Sequence, residues 1–152
     1  MNSRSGTNPV SGKPGGSLPV VPRNFSQKRM QREHAELLAL VEQMDQIILN
    51  QEPPERLTVC FQEFCFHIKS HFEDEEQLMK QYAYPGLETH RVLHHRFWSF
   101  YCRPYADLEF ENVARLSRSQ LLQMQDWLQG HARLADGLLW TWLARHLKTE
   151  NK

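Results

Sequence analysis

The sequence lacks several features that would place it in a common functional class. Its 18 basic and 18 acidic side chains cancel, so no net charge favours nucleic acid or an anionic membrane as a partner. No apolar run approaches the ~18–20 residues of a membrane span, and the first residues lack the apolar core of a secretory signal. We therefore expect a cytoplasmic protein with neither nucleic-acid nor membrane partners.

Cysteine is also scarce. The three residues Cys60, Cys65 and Cys102 are too few, and odd in number, for a disulfide framework. Each has apolar or aromatic neighbours in the sequence, which is typical of buried free thiols in a reducing compartment.

Residues 1–24 contain little that could form a core. They are rich in Gly, Pro, Ser and Asn, with prolines that interrupt any helix, and we expect a disordered tail. From Ser26 onward the apolar residues recur at helical spacing, and no segment shows the two-residue alternation of a strand. We expect one domain over residues 25–148.

Four amphipathic helices are predicted after the tail. The first runs from Ser26, a plausible N-cap, to about Asn50, and the second from about Glu55 to Tyr82. The third starts near Leu87 and ends before Pro104, and the fourth starts between Asp107 and Val113 and reaches about His146. On this last helix, Leu134 and Leu138 are predicted to face inward. Four such helices with short connections predict an all-α, antiparallel up-down-up-down bundle.

Histidine is abundant, with eight residues in the chain. Ionisable residues interrupt the apolar face of every predicted helix. Burying unpartnered carboxylates costs several kcal/mol each, whereas a pair of divalent cations satisfies carboxylates and imidazoles together. The predicted metal ligands are His34, His71, Glu75, His90, His94, His131 and Asp136.

The spacing of these residues supports a shared site. His71 and Glu75, like His90 and His94, are four residues apart and therefore lie on one helical face. His131 and Asp136 are five apart, which is ~140° around a regular α-helix. We therefore predict a π-type widening between Gly130 and Asp136.

Each residue taken alone has an ordinary explanation. A single inward histidine is usually a hydrogen-bonded core residue, and Glu75 lies within an acidic run, 73–76, of the kind that usually faces solvent. Their occurrence together on four inward faces favours the metal site. Histidines with bridging carboxylates and no thiolates suit iron, manganese or zinc. A site with so few carboxylates favours reversible O₂ binding over oxygenation.

These residues also form motifs of a known family. The segment 71–79, His-Phe-Glu-Asp-Glu-Glu-Gln-Leu-Met, followed by Tyr84-Pro85 and by His90-x₃-His94-x₂-Phe97, closely resembles the hemerythrin signature. Downstream, 127–136 resembles the last-helix motif of that family, and His34 resembles its first ligand. The resemblance covers about residues 30–145, and the connections look more like those of bacterial members.

The resemblance implies O₂ binding at two iron ions joined by an oxo or hydroxo bridge. It implies one ion with three histidines, a second ion with two histidines and an open position, and two bridging carboxylates. By this resemblance, the ion with three histidines would take His90, His94 and His131. The ion with the open position would take His34 and His71, and the bridging carboxylates would be Glu75 and Asp136. An apolar lining that excludes water from the site is implied at Leu37, Phe72, Trp127 and Leu128, although plain core packing explains these four equally well.

Two positions depart from the family pattern. Gln31 stands where members carry an aspartate three residues before the first ligand, so we expect the orientation of His34 to differ from the family pattern. His67 stands where an aromatic residue is frequent. It could be a hydrogen-bond partner of a ligand, a substitute ligand or, as we favour, a packed or rim histidine. His95 and His146 fall off the inward faces and are predicted at the surface.

Three functions are compatible with this sequence. The favoured one is reversible O₂ binding for storage, delivery or sensing, without turnover, served by a protein reductant or client enzyme. The second is a di-iron enzyme or sensor for peroxide or nitric oxide, although only Tyr101 and Cys60 lie near inward faces as further reactive groups. The third is an interaction module with a structural metal. In that module, the tail and the exposed residues Trp98, Trp140 or Trp142 would contact a partner.

Overall fold

A computed structural model of the protein describes residues 26–147, and the tail expected over residues 1–24 lies outside that range. The described part contains helices and no strands. The α-helices are α1 (Gln27–Leu49), α2 (Pro54–Gln81), α3 (Leu87–Phe97), α4 (Arg103–Ala106), α5 (Arg118–His131) and α6 (Gly137–Leu147). A π-helical turn at Trp98–Cys102 joins α3 to α4, and another at Ala132–Asp136 joins α5 to α6. The described residues thus form four helical rods, packed as a bundle.

The first two rods begin close to where the sequence predicts. The Ser26 hydroxyl accepts a hydrogen bond from the backbone N–H of Arg29 at 3.2 Å, which satisfies a donor of the first turn of α1. Pro54 is the first residue of α2, where its missing N–H costs no helical hydrogen bond.

The third rod is longer than predicted, because it continues past Pro104 to Ala106. The π-helical turn that precedes Pro104 explains why the rod continues past this proline. At its end, the N–H of Arg103 donates to the carbonyl of Trp98, five residues earlier, instead of to the residue four earlier. Pro104 then lies in the first turn of α4, where its ring is tolerated.

The fourth rod begins later than predicted. Val113–Arg115 forms only a 3₁₀ turn, and α5 starts at Arg118. Ser117 and Gln120 form a capping box, in which the Ser117 hydroxyl accepts from the Gln120 N–H and the Gln120 side chain accepts from the Ser117 N–H. These reciprocal bonds fix the start of the helix, and the Ser-x-x-Gln pattern was a signal that the sequence analysis missed.

The capping box gives a direct stability prediction. A Ser117→Ala substitution is expected to lower the free energy of unfolding by about 1 kcal/mol, because a backbone donor of α5 loses its partner. Urea unfolding followed by circular dichroism measures this change. Ser119→Ala makes the same chemical change at an exposed position inside α5 and is expected to alter stability by less than about 0.5 kcal/mol. Equal effects of the two substitutions would contradict the role of the cap.

The helices of the described part are amphipathic, and their buried faces form two apolar clusters. The larger includes Phe61 and Phe64 and also the three cysteines, which are free and buried as predicted. The smaller lies between the end of α2 and the first two turns of α6, and it includes Leu78 and Leu139. None of the helices described is long and apolar enough to cross a membrane.

The inward face of the fourth rod differs from the prediction beyond residue 131. Leu134 and Leu138, predicted to face inward, are 62% and 67% exposed, whereas Leu139 and Leu143 are buried. The π-helical turn adds one residue to the turn, so a regular 3.6-residue period no longer identifies the inward positions after it.

Candidate metal centre

The structure brings together all seven ionisable residues predicted on the inward faces. They form two groups of donor atoms that share two carboxylates, and within each group the atoms lie within 4.8 Å of one another. The first group, the three-histidine half-site, contains Glu75, His90, His94, His131 and Asp136. The second, the two-histidine half-site, contains His34, His71, Glu75 and Asp136. The centre lies between the two apolar clusters, because α2 carries Phe72 of the larger cluster before Glu75 and Leu78 of the smaller one after it.

Asp136 directs one oxygen to each half-site. Its Oδ1 lies 3.1 Å from Nε2 of both His90 and His131, and its Oδ2 lies 3.0 Å from Nε2 of His34. The Asp136 side chain is only 1% exposed, so these imidazoles replace water around the carboxylate.

Glu75 is placed in the same way. Its Oε2 lies 3.3 Å from Nε2 of His90 and 3.1 Å from Nε2 of His94, whereas Oε1 lies 3.9 Å from Nε2 of His71. The side chain is fully buried. Each carboxylate can therefore contribute one oxygen to each of two ions.

The π-helical turn that the sequence predicts near Gly130–Asp136 is confirmed at Ala132–Asp136. It explains how residues five apart reach one point: Asp136 Oδ1 lies 3.1 Å from Nε2 of His131. A regular α-helix would direct these two side chains to different faces.

The spacing of the donor atoms is more compatible with binding to metal ions than with hydrogen bonds among the donors themselves. Among the clustered donors within residues 26–147, four buried atoms have no aligned hydrogen bond, namely His34 Nε2, Glu75 Oε1 and both Asp136 carboxylate oxygens. In addition, Nε2 of His94 and Nε2 of His131 face each other at 3.1 Å, an arrangement that two neutral acceptors do not favour. Donors at right angles around an ion with bonds of about 2.1 Å lie about 3.0 Å apart, which matches the spacings observed.

Burial and charge shift the pKa values within the centre. Burial opposes the charge of His90, but its contacts with Asp136 and Glu75 outweigh this and raise its pKa to about 9. Burial also opposes the charge of Asp136, yet the surrounding imidazoles hold its pKa well below the usual range. Burial and neighbouring histidines lower the pKa of His131, despite the attraction of Asp136. Without metal, imidazolium protons balance the two carboxylates, and cations would take their place.

Two carboxylates outside the predicted ligand set also contact ligand imidazoles. Glu33 accepts a hydrogen bond from Nδ1 of His71 at 2.8 Å, and Glu76 accepts one from Nδ1 of His94 at 2.9 Å. Both glutamates were missed in the sequence because each contacts a histidine of another helix. Their only sequence signal is that each is adjacent to a predicted ligand.

The residues predicted as an apolar lining divide into two pairs. Phe72 stacks on His94, with ring centroids 3.8 Å apart, and Trp127 stacks on His131 at 4.4 Å. Leu37 and Leu128 are buried in the larger apolar cluster. Phe72 and Trp127 thus cover two imidazoles of the three-histidine half-site.

Several other candidate residues lie outside the centre. His67 is half-buried, 3.8 Å from Glu63, and is not among the clustered donors. Tyr101 packs on Phe97, and burial raises the pKa of the Cys60 thiol to about 11. His95 and His146 are exposed, as predicted.

The three tryptophans proposed as an exposed partner surface are instead half-buried. Trp98 packs against the larger apolar cluster, and Trp140 and Trp142 pack against the smaller one. The rings therefore contribute to the core, because each covers one edge of a buried cluster.

The helical bundle and its buried histidine–carboxylate cluster define a class of helical protein with a buried site that could hold metal ions. A comparison with known proteins agrees with this class. The chain is 27% identical, over 82 residues, to a bacteriohemerythrin of Ralstonia nicotianae, a match that covers 54% of this chain and 59% of that protein. This similarity is distant support for a hemerythrin-like relationship. The chain matches no protein-family model, and no solved structure matches it.

Proposed function

We propose that this protein binds O₂ reversibly at a di-iron centre of the hemerythrin type. The observation that carries the proposal is the inequality of the two half-sites, which share both carboxylates but contain three and two histidines. Three histidines and both carboxylates would hold one ion, and two histidines and the same carboxylates would hold the other. The ion with fewer protein donors would have room for a small ligand. When bound, two iron ions would supply the reversible transfer of two electrons to O₂.

The chain's own residues would hold and shield that centre. The seven ligands are His34, His71, Glu75, His90, His94, His131 and Asp136. Phe72 and Trp127 cover two imidazoles of the three-histidine half-site. Met30 and Leu37 are buried one turn before and after His34 on α1. With Leu128, these apolar side chains would limit the access of bulk water. Excluding water would slow the unproductive oxidation of the bound iron.

A surface cavity extends to His94, one of the predicted ligands. It has a volume of about 370 Å³ and is lined in part by Phe72, Glu76, His94 and Trp98. Small molecules, including a reductant, could approach the ligand His94 through it. As part of the same proposal, residues 25–148 form one hemerythrin-like domain whose consecutive rods run up-down-up-down.

The proposal predicts an O₂-dependent visible spectrum. After loading with iron and anaerobic reduction, the protein is expected to develop a visible absorption band when O₂ is admitted and to lose it under vacuum. A His131→Ala variant is expected to lose iron and the band, because the three-histidine half-site loses a donor. His95→Ala, a matched change at an exposed neighbour of His94, is expected to retain both.

Other outcomes of this experiment would contradict reversible O₂ binding. Sustained consumption of a reductant with peroxide or nitric oxide would identify an enzyme on the same bundle. Failure of the reduced protein to retain iron would indicate an interaction module, and an unchanged band in His131→Ala would show that the ligand set is wrong.

A further inference from the structure

Two of the five clustered histidines bond a carboxylate through the ring nitrogen that points away from the centre. His71 Nδ1 donates to Glu33 at 2.8 Å, and His94 Nδ1 donates to Glu76 at 2.9 Å. Within residues 26–147, the other three have no hydrogen bond at Nδ1. His71 belongs to the two-histidine half-site and His94 to the three-histidine half-site, so each half-site contains one histidine held in this way.

An arginine holds each of these carboxylates. Arg29 Nε donates to Glu33 Oε1 at 2.7 Å, leaving Oε2 for His71. Arg91 Nε donates to Glu76 Oε2 at 3.2 Å, leaving Oε1 for His94. The two glutamates are only 20% and 25% exposed, and two such bonds restrict each of them to one orientation.

Each of these chains of contacts joins two rods. Glu33 extends from α1 to His71 on α2, and Glu76 extends from α2 to His94 on α3. The ring orientation of each histidine is therefore determined by the neighbouring helix as well as by its own.

The hydrogen bond also determines where the imidazole proton lies. A neutral histidine carries one ring proton, and a carboxylate at Nδ1 holds it there. The lone pair of Nε2 is then directed to the centre, and the negative charge makes the imidazole a stronger donor. Both effects favour metal binding once the proton on Nε2 has been released.

We propose that Glu33 and Glu76 are positioning residues, one for each half-site, that orient His71 and His94 and strengthen them as metal donors. This inference rests on the proposed metal centre. It assigns a role to Glu76, which lies within an acidic run, and to the ion pairs of Arg29 with Glu33 and of Arg91 with Glu76. Each arginine restrains a carboxylate that in turn restrains a ligand.

Zinc affinity tests the proposal without O₂ chemistry. Glu33→Ala and Glu76→Ala are each expected to weaken Zn²⁺ binding by roughly 10- to 100-fold in competition with a chelator. Glu33→Gln and Glu76→Gln keep an oxygen acceptor but lose the charge, so they are expected to lie between the Ala variants and the wild type. Matched controls are Glu36→Ala and Glu73→Ala, which alter exposed glutamates on the same two helices and are expected to bind as the wild type does.

Nitrogen-15 NMR of the zinc-loaded protein provides a readout that a merely structural role would not change. In the wild type and in Glu76→Gln, the proton of His94 is expected on Nδ1, with a hydrogen-bonded shift that is lost in Glu76→Ala. Ala variants that match the wild type in zinc affinity and in ring shifts would overturn this inference alone. A wild-type protein that binds no zinc would instead remove the metal centre on which the inference rests.

Discussion

A Glu75→Leu variant is expected to lose metal from both half-sites, with affinity at each lower by more than about 100-fold. Glu75 is the fully buried carboxylate of α2, and its two oxygens face different histidine groups. Its loss therefore removes one donor from each ion and one of the two negative charges that balance them. The metal-free variant is expected to fold, because its imidazoles can release their protons and leave no uncompensated buried charge.

Metal content after loading and zinc titration measure this effect. Glu73→Leu, two residues earlier and exposed, makes the same chemical change outside the centre and is expected to bind metal normally. Retention of one ion per chain at undiminished affinity in Glu75→Leu would show that Glu75 serves only one half-site.

The second large effect expected is a loss of stability of the metal-free form with rising pH, and a growing stability advantage of the metal-loaded form over the same range. In the metal-free protein, the folded pKa of His90 is raised from 6.5 to about 9, and that of His71 is also raised. A group with a raised folded pKa stabilises the fold fully below its unfolded pKa and loses that contribution as pH rises through the folded value. His131, whose pKa is lowered, opposes them in part.

The metal-free protein is therefore expected to lose roughly 1–3 kcal/mol of unfolding free energy between pH 6.5 and 9. The zinc-loaded protein is expected to gain stability relative to it over the same range, because protons no longer compete for the imidazoles. Urea unfolding at several pH values measures both forms. In the metal-free state, His90→Gln is expected to flatten the profile, whereas His95→Gln at an exposed position leaves it unchanged. A metal-free protein that gains stability up to pH 9 would contradict this account of the centre.

At low pH, the stability of the metal-free protein is expected to depend on the two buried carboxylates and no longer on the histidines. Glu75 and Asp136 both have lowered folded pKa values, so their contribution is present above the unfolded values and is lost as pH falls below them. This places the stability optimum of the metal-free protein on the weakly acidic side of neutrality.

The clustering of the predicted metal ligands could be anticipated in part because it depends on geometry within one helix. Residues four apart, such as His90 and His94, share a face whatever the rest of the chain does. The five-residue interval between His131 and Asp136 likewise requires a local widening if both residues face the core, and the turn at Ala132–Asp136 has that form.

Predictions that depended on a regular helical period were less successful. A single period assigned Leu134 and Leu138 to the core, but the π-helical turn changes the phase of the helix beyond it. Pro104 was taken as the end of a rod, but a second π-helical turn accommodates it within the rod. A π-helical turn contains one more residue than an α-helical turn. Residue spacing alone does not reveal where such a turn occurs unless two residues that must face the same way, such as His131 and Asp136, lie at its ends.

From the sequence alone follow the helical character of the chain, the cap at Ser26, and the conjunction of five imidazoles with two acids on inward faces. These depend on backbone periodicity and on the cost of burying charge, both of which are properties of local chemistry. Only the tertiary structure decided which oxygen of Asp136 faces which half-site, and that Glu33 and Glu76 each hold a histidine of another helix. Such contacts depend on the rotation and separation of packed helices, which no spacing within one helix encodes.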